Sequence, residues 1–79
     1  MELEIEAIRE KAMNIAKEYR ANNNKGQKEL AAMASVSLRS IYNIEHAIAV
    51  YDETLEKVMA VCGYDYKVKV SRSLEKRQQ

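Results

Sequence analysis

Residues 27–45 read QKELAAMASVSLRSIYNIE, and the fold depends on how this stretch divides into helices. Leu30, Ala31 and Ala34 fall at three- and four-residue steps, which places them on one face of a first helix. Ile41 and Ile44 do the same for a second helix, with Val36 between the two. Ser37 is a natural N-cap for the second helix, because its hydroxyl can accept a bond from an otherwise orphaned backbone N–H. Outward on that helix stand Leu38, Arg39, Ser40, Tyr42, Asn43 and His46, with a single acid within it, Glu45. The set is rich in side chains that hydrogen-bond to base edges or phosphates.

Upstream, residues from about 2 to 22 read as one amphipathic helix. Ile5, Ile8, Ala12, Ile15, Ala16 and Tyr19 trace its apolar stripe, and Glu, Lys and Arg fill the other faces. The helix stops in Asn22-Asn23-Asn24-Lys25-Gly26, a cluster of turn formers in which Asn24 is the expected left-handed residue and Gly26 the N-cap of the next helix. Downstream, residues 46–51 are apolar for a connection, and Ile48 and Val50 can pack inward or toward a second subunit. Asp52 is expected to cap a helix running to about Cys62, with Leu55, Val58, Met59 and Cys62 on its buried side and Gly63 ending it. The period then changes. Tyr64, Tyr66, Val68 and Val70 alternate with Asp65, Lys67, Lys69 and Ser71, the rhythm of a strand with one buried face. No other segment reads as a strand, and residues 72–79 read as a mobile basic tail.

Length and composition agree with one small helical domain. The chain has 79 residues, 47% hydrophobic and 32% charged, with no proline and two glycines. A single cysteine excludes an internal disulfide and fits a reducing compartment. The opening MELEIE is acidic where a secretory signal would be basic, and no apolar run approaches membrane-spanning length. The expected location is the cytoplasm, with no membrane partner. A net charge of +1 is a weak electrostatic footprint for nucleic acid, so the distribution of charge matters more than its sum.

The spacing of Leu30, Ala31, Ala34, Val36, Ile41 and Ile44 after Gln27 resembles the helix-turn-helix of the phage-repressor or XRE family, the lambda-repressor-like domains. The pattern Q-x-x-L-A…V-S…I-x-x-x-E constrains several positions at once, and the resemblance spans roughly residues 15–64. Ser35 stands where the family usually has glycine, and Lys25 where it usually has an apolar residue. The resemblance implies an all-α bundle of four to five helices with a short C-terminal β-strand. It implies sequence-specific binding to double-stranded DNA by a transcriptional repressor, with the second helix of the motif in the major groove. Carried over by position, Gln27 and Ser37 are phosphate contacts, with Lys28 also at the DNA. Leu38, Arg39 and Asn43 face bases, flanked by Ser40 and Tyr42. Arg20, seven residues before Gln27, is expected to pair with Glu45 as a structural ion pair.

The added strand makes the chain resemble antitoxins of toxin–antitoxin modules, of the HipB type, which implies an autoregulatory homodimer on a near-palindromic operator and a cognate toxin protein as partner. Phage Cro-type repressors and restriction–modification controllers stay open beside it. A lone strand at 64–71 leaves its backbone without a ladder, so Tyr64, Tyr66, Val68 and Val70 are expected to dimerise by antiparallel pairing with a second copy. The alternative is a protein-binding module that uses the same helices as a scaffold without DNA. Catalysis finds little support: His46 and Cys62 sit on separate segments, and the chain carries too few Cys and His for a zinc site. Glu2, Glu4, Glu6 and Glu10 are a solvated helical face, and Met13, Met33 and Met59 are expected core fillers. No enzyme activity, cofactor or metal is expected.

Overall fold

The computed structural model of the protein describes residues 5–68 and 71–77. Among these residues four helices and two strands succeed one another: α1 Ile5–Asn23, α2 Gln27–Ala34, α3 Leu38–Glu45, α4 Asp52–Val61, β1 Tyr64–Val68 and β2 Arg72–Lys76. No helix among the described residues is long and apolar enough to cross a membrane.

The first three helices end alike, and this punctuation positions everything else. Asn24, Ser35 and Ala47 take left-handed φ values of 53°, 57° and 55° just past the last turns of α1, α2 and α3. In each case the next residue's N–H reaches back to a carbonyl five residues earlier: Lys25 to Arg20, Val36 to Ala31, Ile48 to Asn43. That bond satisfies a helix-terminal carbonyl and turns the chain sharply. Asn24 and Ser35 are the residues expected there; Ala47 is not, since its Cβ costs about 1–2 kcal/mol in this conformation. After α4 the turn falls to Gly63 at φ 88°, where the missing Cβ removes that cost. At the N-termini, Ser37 Oγ accepts from the Ser40 N–H at 3.1 Å, and Glu29 Oε1 accepts from the Gly26 N–H at 2.9 Å.

The core is the set of faces the sequence pattern marks out. Ile8, Ala12, Ile15 and Ala16 of α1 meet Leu30, Ala31 and Ala34 of α2, Ile41 and Ile44 of α3, and Leu55, Val58 and Met59 of α4. The small side chains Ala31 and Ala34 leave room for α3 and α4, which both pack on α2. Met13 is half-buried, while Met33 is exposed and takes no part in the core.

Three C-terminal expectations need correction. Residues 72–76 are not part of a mobile tail; they form β2, antiparallel to β1 in the register Tyr64↔Lys76, Tyr66↔Leu74 and Val68↔Arg72. β1 is therefore not a lone strand, because its own chain fills one side of its ladder. The apolar face is also covered from within: Tyr66 and Leu74 are buried against the helices, α4 packing on β1 and α1 on β2. Of the other residues expected to dimerise, Tyr64 is half-buried, Val68 is exposed, and Val70 lies outside the described residues. Lys11 of α1 ties the hairpin down by donating to the Leu74 carbonyl at 2.6 Å. Third, Asp52 does not cap α4; Tyr51 holds the N-cap position. Asp52 is the first helical residue, and its carboxylate accepts a 2.7 Å bond from the Tyr66 hydroxyl, with Arg72 Nη2 at 3.7 Å.

Candidate nucleic-acid interface

The orientation of α3 is set by an ion pair at its end. Glu45 is only 2% exposed, yet its carboxylate is fully engaged. Arg20 approaches it with two nitrogens, Nε at 2.6 Å from Oε2 and Nη2 at 2.7 Å from Oε1, a bidentate geometry only arginine supplies. Burial pushes the Glu45 carboxyl up, but the Arg20 bonds, and then the Gln27 bond, outweigh it and hold the group below the usual carboxylate range. The same pairing raises Arg20 further above its ordinary value. Arg20 also donates to the Lys25 carbonyl at 3.3 Å, so one side chain joins the end of α1, the turn after it and the end of α3.

Gln27 belongs to the same network. Its amide donates to Glu45 Oε1 at 3.1 Å, which links the first residue of α2 to the last residue of α3. The pair α2 and α3 is therefore braced at its open end by polar bonds and at its crossing by apolar packing.

On the outward side of α3, Leu38, Arg39 and Tyr42 are exposed. Arg39 lies over the Tyr42 ring, 5.7 Å from its centroid, and Tyr42 stacks on His46 with centroids 3.9 Å apart. The His46 ring is held by a 2.8 Å bond between Nδ1 and the Tyr42 carbonyl. Because a carbonyl only accepts, Nδ1 carries the proton in this bond. These three side chains, at steps of three and four, form one ordered ridge along the helix.

The remaining residues of the expected set divide. Lys28 and Ser37 are exposed, and the Ser37 hydroxyl lies 2.9 Å from that of half-buried Ser40. Asn43 does not stand fully outward: it is half-buried, and its Oδ1 is enclosed with no hydrogen-bond partner among the described residues. Asn43 lines a shallow groove with Ser40, Val50, Tyr51 and Thr54, and contact with a base requires the side chain to swing out of it.

Residues 46–51 hold what the sequence pattern left unresolved. Beside them lies an open cavity of about 240 Å³ with Ala12, Ile44 and Leu55 as its apolar floor and Arg9, Ile48, Tyr51, Asp52 and Arg72 among its walls. Tyr51 itself is 86% exposed, and no periodicity marks it, because it belongs to an irregular connection. Cys62 is half-buried, and burial, reinforced by the Glu45 charge, pushes its thiol up to about 12. Among the described residues no three His, Cys, Asp or Glu side chains converge as a metal site would need.

No family model, no curated protein and no solved structure matches the chain.

Proposed function

We propose that the protein is a sequence-specific DNA-binding transcriptional regulator of the helix-turn-helix repressor type, acting as a homodimer, with α3 in the major groove. The observation that carries this reading is the ordered, acid-free ridge of Arg39, Tyr42 and His46 on a helix locked from behind by Arg20 and Glu45. A helix that reads bases must hold its side chains in one register, since discrimination depends on bidentate geometry. With Glu45 neutralised inside the fold, α3 presents no carboxylate to a phosphate backbone.

Arg39, in the first turn of α3, is the guanine-reading candidate, and Tyr42 offers its ring to a thymine methyl or its hydroxyl to phosphate. Ser37 and Lys28 flank the groove as phosphate contacts. Gln27 would contact phosphate while its amide stays on Glu45, transmitting the position of the backbone to the base of α3. Autoregulation and a toxin partner rest on the resemblance to antitoxins alone.

The test is selection from a random duplex pool, then titration of the enriched sequence at several salt concentrations. Binding should be sequence-dependent and should weaken steeply with salt. Arg39→Ala should weaken the selected site by about 1–3 kcal/mol and relax preference at one base pair. An equal loss on selected and random DNA would make Arg39 a phosphate contact instead.

A second reading has an observation of its own. Met33, Leu38 and Tyr42 are large and exposed on α2 and α3, as they would be on a protein-binding scaffold. Absence of any salt-sensitive, sequence-dependent DNA binding would favour it.

A further inference from the structure

We infer that two copies of the chain pair through the connection 46–51, each inserting Tyr51 into the cavity beside the same connection of the other. The inference deepens the homodimer part of the proposed function, on which it rests, and replaces the pairing of lone strands, whose physical reason disappears once β2 occupies one side of β1.

Hole and knob lie on one face. The cavity measures about 240 Å³ and has an apolar floor of Ala12, Ile44 and Leu55. An apolar cavity of roughly 150 Å³ is enough to take up a benzene ring, so a phenol ring fits. Tyr51 stands at the rim with 86% of its surface in water, and its neighbour Ile48 is 46% exposed. An aromatic side chain so placed gains nothing from its own fold, whereas tyrosine at the centre of an interface buries a large area at low entropic cost. A projecting group beside a receiving cavity on the same patch is the condition for a two-fold contact, in which each copy gives and receives the same group.

Charge agrees with this occupant. Two cations, Arg9 and Arg72, line the cavity against one acid, Asp52, which is engaged by Tyr66 and Arg72, while Arg9 has no acidic partner among the described residues. Directly after Tyr51 stand Asp52 and Glu53, in the first turn of α4. A Tyr51 entering from a second copy therefore brings the exposed Glu53 toward a rim whose net charge is positive, and two-fold symmetry repeats the match. The contact also bears on α3, because Ile44 forms the cavity floor and the strained Ala47 one of its walls. Filling the cavity braces α3 from the side opposite the ridge.

Sedimentation equilibrium of the wild-type chain and of Tyr51→Ala, without DNA, tests the inference. The wild type should be a dimer. Tyr51→Ala should raise the dimer dissociation constant by roughly 100-fold or more, since two central aromatic anchors are lost together. Tyr51→Phe, which keeps the ring, should remain a dimer. At protein concentrations below the dimer dissociation constant, thermal melts of wild type and Tyr51→Ala should coincide, as the side chain is then in water. A dimer that survives Tyr51→Ala overturns the inference and assigns pairing to another surface. A wild type that stays monomeric overturns it too, and leaves the cavity to a small apolar ligand. A wild-type dimer with no sequence preference would sink only the DNA reading. A monomeric Tyr51→Ala that still selects a half-site would uphold both.

Discussion

Replacing either partner of the Arg20–Glu45 pair should destabilise the protein, but not equally. Arg20 keeps 25% of its side chain in water, whereas Glu45 keeps 2%. Arg20→Ala therefore strands a buried carboxylate whose only other bond among the described residues is from Gln27 at 3.1 Å, and the cost should lie at about 3–5 kcal/mol. Glu45→Gln leaves a guanidinium that can turn toward water and can still donate to the amide oxygen, so its cost should be about 1.5–3 kcal/mol. A domain of this size has about 4–12 kcal/mol in total, so Arg20→Ala removes a large part of it. Each kcal/mol lowers Tm by about 4–8 °C in so small a domain, and a fall of at least about 12 °C is expected for Arg20→Ala. The pH dependence carries the same signature. Because folding lowers the Glu45 pKa, its contribution is complete above the unfolded value of about 4.3 and is lost as pH falls through the lower folded value. Wild type should lose stability across that acid window, and Glu45→Gln should show a shallower slope there. Calorimetric melts between neutral and acid pH read both effects. A Glu45→Gln protein less stable than Arg20→Ala at neutral pH would refute the reasoning, because it would mean that the buried carboxylate does not need its cation.

Leu74→Ala, at a buried position of β2, should cost about 2–5 kcal/mol by chemical denaturation, whereas a residue in a mobile tail would cost nothing measurable. Ala47→Gly should raise stability by about 0.5–1 kcal/mol, because glycine relieves the left-handed strain by more than it adds to unfolded-chain entropy; a lower melting point would contradict the strain. Cys62, with its thiol raised to about 12, should react with a thiol reagent at pH 8 far more slowly than the unfolded chain, and equal rates would mean that the thiol is not shielded.

The features legible in the chain before folding are local ones. The apolar steps that place Ile8, Leu30, Ile41, Ile44 and Val58 inside are a property of helical geometry, and they are inside. The turns at Asn24, Ser35 and Gly63 and the cap at Ser37 come from single residues and their own backbone preferences. The Arg20–Glu45 pair was legible as well, though only through resemblance, since no periodicity joins residues 25 positions apart. Where tertiary contacts oppose or replace local preference, the sequence pattern misleads. Residues 72–76, RSLEK, have one apolar side chain and no β-branched residue; they become a strand because Leu74 finds Tyr66 across the ladder and Lys11 holds its carbonyl. Asp52 has the chemistry of an N-cap but bonds Tyr66, a partner 14 residues away, and Asn43 on the expected outward face is drawn into the groove beside Tyr51. Helix faces repeat every few residues and can be counted along a chain. Which distant group meets a given side chain is decided only when the elements pack, because that partner lies on another element.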